Sequence, residues 1–450
     1  MSEVIKIKKG LNIPLKGKAE KIFVKAGQSE TYAVKPTDFH GLTPKMTVTV
    51  DEEVKAGTPL FFDKYRPSIQ FTSPVSGKVI AINRGERRRV LEVVIEPAGE
   101  MQYETFKKGN PLELNREKVI DNLLKSGIWP MIRQRPYSTI ANPEEQPKSI
   151  FISAFDTAPL APDYDFAVKG CEKEFQTGID ALSKLTEGKI HLNINSEYPT
   201  TPVFSNAKGV KINKFKGPHP TGNVGIQIHH IEPLNKGDLI WYIAPQDVIT
   251  IGRLFENGIY DASRVVALTG SEVNKPLYYK LIAGASIKNL VNNNVKVGLL
   301  RYISGNVLTG TKITSEGYLG YYDSQITVIP EGKHFEFLGW AMPGFGKFST
   351  SHSFWSWLSP GREYKLDTNL NGGHRALMIT GRYEEVLPLD IYPMQLIKAI
   401  LVEDIDLMEK LGIYEVAEED FALCEFVCTS KTNIQSIIRK GLDMMAKEMS

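Results

Sequence analysis

Cysteine is scarce: Cys171, Cys424 and Cys428 are the only three in 450 residues. An odd, sparse set excludes a disulfide framework and suits a reducing compartment. Long apolar runs are missing as well. No stretch reaches the roughly 18 uninterrupted apolar residues that a membrane helix needs. The richest run, Tyr392 to Val402, is short and broken by Lys398. The opening MSEVIKIKKG lacks the apolar centre of a signal peptide, so a soluble cytoplasmic chain without a transmembrane segment is expected. A formal charge of +2 leaves no basic field and excludes a nucleic acid partner. The eight histidines are scattered. His229 and His230 are neighbours, and on a strand they would face opposite sides. No His-Glu-x-x-His pair or Gly-x-Ser-x-Gly elbow occurs, so neither zinc nor serine hydrolase chemistry is indicated. Internal repeats and low-complexity stretches are also missing.

What remains is an ordinary globular composition, 42% hydrophobic and 24% charged, in a chain long enough for several cores. The fold class expected is α+β multidomain. Residues 1–105 read as β structure: Val48 and Val50 alternate with threonines, and Val79, Ile80 and Ile82 continue the theme. Glycine corners in Val54-Lys-Ala-Gly-Thr-Pro-Leu60 and Thr72-Ser-Pro-Val-Ser-Gly-Lys-Val79 resemble those of a lipoyl/biotinyl carrier sandwich. Lys64, followed by Tyr65-Arg-Pro, lacks the context of a modifiable lysine, so this is a scaffold without a prosthetic group.

Residues 106–260 change to a helical period and read as a Rossmann-like α/β domain. Asn115 caps a helix bearing Val119, Ile120, Leu123 and Leu124, stopped by Gly127. Ser149–Ala154 reads as a buried strand. A helix with Phe175, Ile179, Leu182 and Leu185 follows, then a strand with Ile190, Leu192 and Ile194, which implies a parallel unit. A further helix is expected from Pro245 to Gly258. Residues 261–330 revert to β and read as a β-grasp (SLBB-like) module with a short helix from Ser286. Residues 331–450 comprise an aromatic-rich segment and a C-terminal helical domain. There Leu396, Ile397, Ile400 and Leu411 line one helix stopped by Gly412, and Ile434, Ile437, Ile438, Leu442 and Met445 line another.

Candidate phosphate loops are weak. Gly305-Asn-Val-Leu-Thr-Gly-Thr-Lys312 places Thr and Lys in the wrong order for a nucleotide loop and reads as a hairpin. Gly217-Pro-His-Pro-Thr-Gly-Asn-Val-Gly225 is glycine-rich but interrupted by proline, more a fold-supporting loop than a ligand cradle. The cysteine pair carries more information. A ferredoxin-type loop reads C-x2-C-x2-C-x3-C-P. In that register Cys424 and Cys428 are the third and fourth ligands, Phe421 replaces the second and Glu418 the first. They read as remnants of a cluster loop with no metal. Likewise Trp129-Pro-Met-Ile132 follows the helix where a flavin-binding relative would need glycines, and these bulky residues block a flavin phosphate.

Together these features resemble the NqrA family, the A subunits of the Na+-translocating NADH:quinone oxidoreductase. The match rests on Phe71-Thr-Ser-Pro-Val-Ser-Gly-Lys-Val79 with Asn83-Arg-Gly85, Ser126-Gly-Ile-Trp129 with Arg133-Gln-Arg-Pro136, and Gly217-Pro-His-Pro220. Val273-Asn-Lys-Pro276, Ile303-Ser-Gly305 with Gly310-Thr-Lys312, and Gly339-Trp-Ala-Met-Pro-Gly344 complete it. Thr429 stands where other members can keep proline. The resemblance implies a peripheral subunit on the cytoplasmic face of the inner membrane, in a six-subunit pump. It implies respiratory electron transfer from NADH to a quinone such as ubiquinone, coupled to Na+ export. No cofactor is expected on this chain; NADH, flavins and an iron–sulfur centre belong to other subunits, integral membrane subunits among them. Kinship with the C subunit of the Rnf complex and with the flavin-bearing subunit of respiratory complex I is also implied.

A quinone needs an apolar slot and one or two donors to its carbonyls. Trp129, Met131, Tyr137 and Phe155 are expected to supply the slot, and Arg133 and Arg135 the donors; removing the Trp129 ring would then weaken quinone binding. The same residues would also simply fill the vacated cavity, or touch a partner. A pure assembly scaffold, and an autonomous flavoprotein with its cofactor at Gly217–Gly225, are the competing readings. The arginines 84, 87, 88 and 89 at a hairpin tip, and the aromatic stretch from Phe345 to Trp357, suit docking.

Overall fold

The computed structural model describes residues 4–333, 337–339, 341–351, 353–359 and 361–449. Its architecture is mixed α/β in several domains: four sheets followed by a helical C-terminal region. Among the described residues no helix is long and apolar enough to cross a membrane.

The seven-stranded sheet positions the candidate site. Its order is Val4–Lys6, Lys211–Lys216, Lys189–Asn195, Ser149–Ser153, Ile240–Tyr242, Arg133–Arg135 and Thr139–Ile140. The first five strands are mutually parallel; Arg133–Arg135 runs against them and Thr139–Ile140 pairs antiparallel to it. Runs such as Ile150-Phe-Ile152 are buried on both faces, as a parallel strand between helices requires. The Arg116–Lys125 and Glu172–Leu182 helices form where the apolar period places them, and Asn115 caps the first through its side chain.

The N-terminal part folds into a four-stranded antiparallel sheet against a three-stranded one, closed over Leu60, Phe61, Phe71, Val79, Val93 and Ile95. Val48 is buried and Val50 exposed, and neither lies in a strand; the Pro44–Met46 strand ends before them. Residues 4–25 leave this unit. Val4–Lys6 joins the seven-stranded sheet and Glu20–Lys25 the six-stranded sheet, beside Leu277–Ile282. That six-stranded sheet contains the hairpin expected at Gly305–Lys312, with Leu300–Ser304 paired to Thr311–Ile313.

Two expectations about the helices need correction. The apolar pattern through Leu396 and Leu411 is two helices, Pro393–Leu401 and Ile405–Lys410. Glu403 adopts a left-handed conformation and the Asp404 side chain accepts from the Leu407 amide, so a new helix starts there. His229 and His230 lie on a helix, Val224–Ile231, not a strand. His229 pairs with Glu415 at 2.7 Å and His230 turns back to the Ile226 carbonyl at 2.8 Å.

Candidate functional site

The six nominated residues do not converge on one cavity. Trp129 is fully buried in the large core: its indole N–H donates to the Ala141 carbonyl at 2.8 Å, and its ring meets Trp241 edge-on at 5.5 Å. Met131 packs into the same core. Phe155 belongs instead to the core under the C-terminal helices, with Phe215 at 6.5 Å. Tyr137 packs against that second core; its ring lies 6.3 Å from Tyr414, and burial pushes its hydroxyl up to about 12. Arg133 is sandwiched between the rings of Tyr242 at 4.6 Å and Tyr322 at 4.3 Å.

Arg135 joins the two cores. Its side chain is fully buried; Nη1 donates to Asp420 Oδ2 and Nη2 to Glu419 Oε1, each at 2.9 Å. Burial alone would weaken the cation; the two carboxylates outweigh it and hold the guanidinium firmly protonated. Asp420 Oδ2 also accepts from the Ala417 amide at 2.9 Å.

All four positions of the cluster-like loop have found structural work. Glu418 accepts from Arg439 Nη1 at 3.3 Å and pairs with His40 Nε2 at 3.1 Å, which ties the N-terminal unit to the last helix. Phe421 is fully buried in the C-terminal core. Cys424 is buried beside it, and burial raises its thiol well above the usual range. Burial also opposes a Cys428 thiolate, but the Tyr383 hydroxyl, donating at 3.0 Å, and the Thr432 and Ser430 amides outweigh it and lower that thiol. Among the described residues no group of three or more metal-ligating side chains forms.

The glycines of the 217–225 loop are consumed by close packing. A Cβ at Gly217 would sit 2.3 Å from the Ile7 carbonyl oxygen, and one at Gly222 2.6 Å from the Thr157 nitrogen. One at Gly225 would meet both Asp420 oxygens, at 2.6 and 2.7 Å, and Arg135 Nη2 at 2.9 Å. Gln227 fills the space behind the loop: its Nε2 donates to Ser153 Oγ at 2.8 Å and to the Thr221 carbonyl at 3.1 Å. Gly225→Ala is therefore expected to destabilise the protein by about 1–3 kcal/mol through overpacking against a pinned ion pair. Alanine's intrinsic helix advantage of roughly 1 kcal/mol points the other way, so a urea titration reads the sign directly.

Models of three NqrA domains match successive parts of the chain: the N-terminal barrel-sandwich hybrid domain over 5–98, the second alpha/beta domain over 114–260 and the C-terminal domain over 265–315. The chain is 39% identical to the Na(+)-translocating NADH-quinone reductase A subunit of Rhodopirellula baltica, over 99% of this chain and 98% of that one. Identity to the corresponding A subunits of Vibrio anguillarum and Pasteurella multocida is 40%, over 99% of this chain and all of each relative.

The chain belongs to the NqrA family, the A subunits of the Na+-translocating NADH-quinone reductase.

The family resemblance read from the motifs thus holds along the whole chain. Among solved structures, an NAD+-reducing nickel–iron hydrogenase chain overlaps with a TM-score of 0.39 at 11% identity, covering 77% of this chain and 67% of that one. Within this NqrA-family chain, the functional residues that sequence reasoning misses are the partners of the arginines. Of Glu418-Glu-Asp420 the sequence singles out Glu418 alone, as a missing ligand; no local signal marks Glu419 and Asp420 as the partners of Arg135. The Glu418 arm of this joint is expected to be acid-sensitive. Burial works against the Glu418 carboxylate, yet His40 and Arg439 outweigh it and hold the group at about 2. A carboxyl depressed on folding stabilises fully above its ordinary value of about 4.3, and the contribution is lost as pH falls toward the folded value. Melting temperature is expected to drop between about pH 4.5 and 2 more steeply for the native chain than for Glu418→Gln.

Proposed function

We propose that this chain is a redox-inert subunit of the reductase, a rigid frame for its neighbours at the cytoplasmic face of the membrane. On this reading NADH, the flavins and the iron–sulfur centre are held by other subunits, and integral membrane subunits are its partners. The observation that carries the reading is the conversion of the cluster-like loop into a joint, with Glu418, Glu419 and Asp420 committed to His40, Arg439 and Arg135.

We read the two N-terminal sheets as a lipoyl/biotinyl-like sandwich without a carrier lysine, and the seven-stranded sheet as a Rossmann-like frame. In support of the latter, Ser149–Ser153, Lys189–Asn195, Lys211–Lys216 and Ile240–Tyr242 lie in the order 3-2-1-4. Ligands of such folds sit at the carboxyl ends of the strands where the order reverses. Here Ser153 Oγ donates to the Gly222 carbonyl at 2.9 Å, and Gln227 donates to Ser153, so the protein's own polar groups occupy that crevice. This favours the frame over the flavoprotein with its cofactor at Gly217–Gly225.

Affinity purification of the tagged chain from detergent-solubilised membranes tests the proposal. Membrane subunits and NADH-quinone reductase activity should come down together, while the chain alone oxidises no NADH. NADH oxidation by the isolated chain would reject it.

A contribution to quinone binding is the second reading. It is favoured by the Arg133 guanidinium held between the Tyr242 and Tyr322 rings, beside a crevice lined by Ala33, Val34, Lys35, Asp38, Leu319 and Tyr321. At about 20 Å³ that crevice holds one water, so a quinone ring would have to open it. The Tyr321 hydroxyl is sealed from solvent and has no protein partner, a donor that a quinone carbonyl could take once the crevice opens. Trp129→Ala would be a poor test, since that ring is core. Tyr321→Phe is expected to weaken quinone affinity about tenfold, the value of one hydrogen bond to a buried group; an unchanged Kd excludes the crevice.

A further inference from the structure

The stretch from Gly332 to Gly381 holds almost no regular structure; among its described residues one 3-10 turn, Trp355–Leu358, is formed. It is also where large apolar side chains lie outside the cores. Phe337 is 92% exposed, and Met342, Phe345, Trp355 and Leu358 are each more than half exposed. From Phe337 to Arg362 the sequence contains no aspartate or glutamate, and its two formal charges, Lys347 and Arg362, are both positive.

The segment is nonetheless folded. Phe345 meets Trp355 edge-on at 5.9 Å, the Trp355 amide donates to the Pro343 carbonyl at 2.9 Å, and Arg362 Nη1 donates to the Phe345 carbonyl at 2.9 Å. Its inner side is fastened to the body. The Tyr364 amide donates to the Pro14 carbonyl at 2.7 Å, the Lys16 amide returns the bond at 3.0 Å, and Phe348 packs at 5.5 Å from Tyr364 and 6.1 Å from Phe426. Anchoring runs through Tyr364 and Phe348, whereas the Phe345 and Trp355 rings are each more than half exposed. Exposed aromatic clusters of this kind mark a contact surface.

The charge pattern selects the contact. Tryptophan and phenylalanine settle at the headgroup level of a bilayer, lysine and arginine are drawn to anionic lipid phosphates, and acids would be repelled. We propose that the 337–362 lobe seats its aromatic face in the headgroup layer of an anionic bilayer and holds the chain against the membrane. The inference rests on the proposed membrane-side location and adds direct lipid contact to it.

Flotation of the purified full chain with phosphatidylcholine vesicles, with and without about one quarter phosphatidylglycerol, tests it. Binding is expected to the anionic vesicles only, to weaken in high salt, and to fall about tenfold or more in a Phe345→Ser/Trp355→Ser variant whose circular dichroism matches the native chain. No binding to anionic vesicles, or binding untouched by the double variant, overturns the proposal. A variant that loses the membrane subunits on purification while the native chain ignores vesicles assigns the lobe to a protein interface, which also overturns it. Vesicle binding can fail while assembly with the other subunits persists, so the two proposals fail separately.

Discussion

Replacing Arg135 by alanine is expected to destabilise the protein by about 3–5 kcal/mol, the usual result of removing one partner of a buried ion pair. The side chain and that of Asp420 are both fully buried, and Glu419 takes the second nitrogen of the fork. Alanine would leave the Asp420 carboxylate in the core with only the Ala417 amide as a partner. Lysine is no substitute, because one ammonium cannot span two carboxylates with the planar geometry of a guanidinium. Arg135→Met combined with Asp420→Asn removes both buried charges and should recover part of the loss. A chain with several sheets need not unfold in one step. Hydrogen exchange over residues 413–449 is therefore the right readout, and faster exchange confined to that region is the expected result. Unchanged protection would show that the pair contributes nothing to holding the C-terminal helices.

Phe421→Ala should cost a similar amount, about 3–5 kcal/mol, by a different route: a cavity in a core that cannot collapse around it. Phe421 is fully buried with Leu423, Cys424, Ile438 and Leu442 in the same cluster. Phe421→Leu, which keeps most of the volume, should cost much less. Urea midpoints of the two variants, compared with the native chain, check the difference. Equal midpoints for all three would mean that the ring standing in the second ligand position is not a packing element.

Local pattern makes much of the fold legible. Alternation and buried runs locate Ser149–Ser153 and Lys189–Asn195, and capping chemistry locates the Arg116–Lys125 helix. The failures share a cause. Leu396, Ile397, Ile400 and Leu411 keep an apolar period across a break that is set by one left-handed residue, Glu403, and the capping side chain of Asp404. Val4–Lys6 and Glu20–Lys25 find their sheets by pairing with strands about two hundred residues away or more, which no local period encodes. The site follows the same rule. Arg133 and Arg135 stand out in the sequence, but as donors to a ligand. The sequence separation between Arg135 and Asp420, 285 residues, hides what Arg135 binds. Trp129 and Met131 are ambiguous between slot and core because both uses ask for the same side chains.

Absorbance, iron and flavin content of the purified full-length chain address the redox-inert frame most directly. A colourless protein with neither group near one per molecule is predicted, since Phe421 and the Arg135–Asp420 pair fill the cluster loop and Gln227 fills the crevice behind Gly222. A brown or yellow preparation that retains one tightly held cluster or flavin per chain would contradict it.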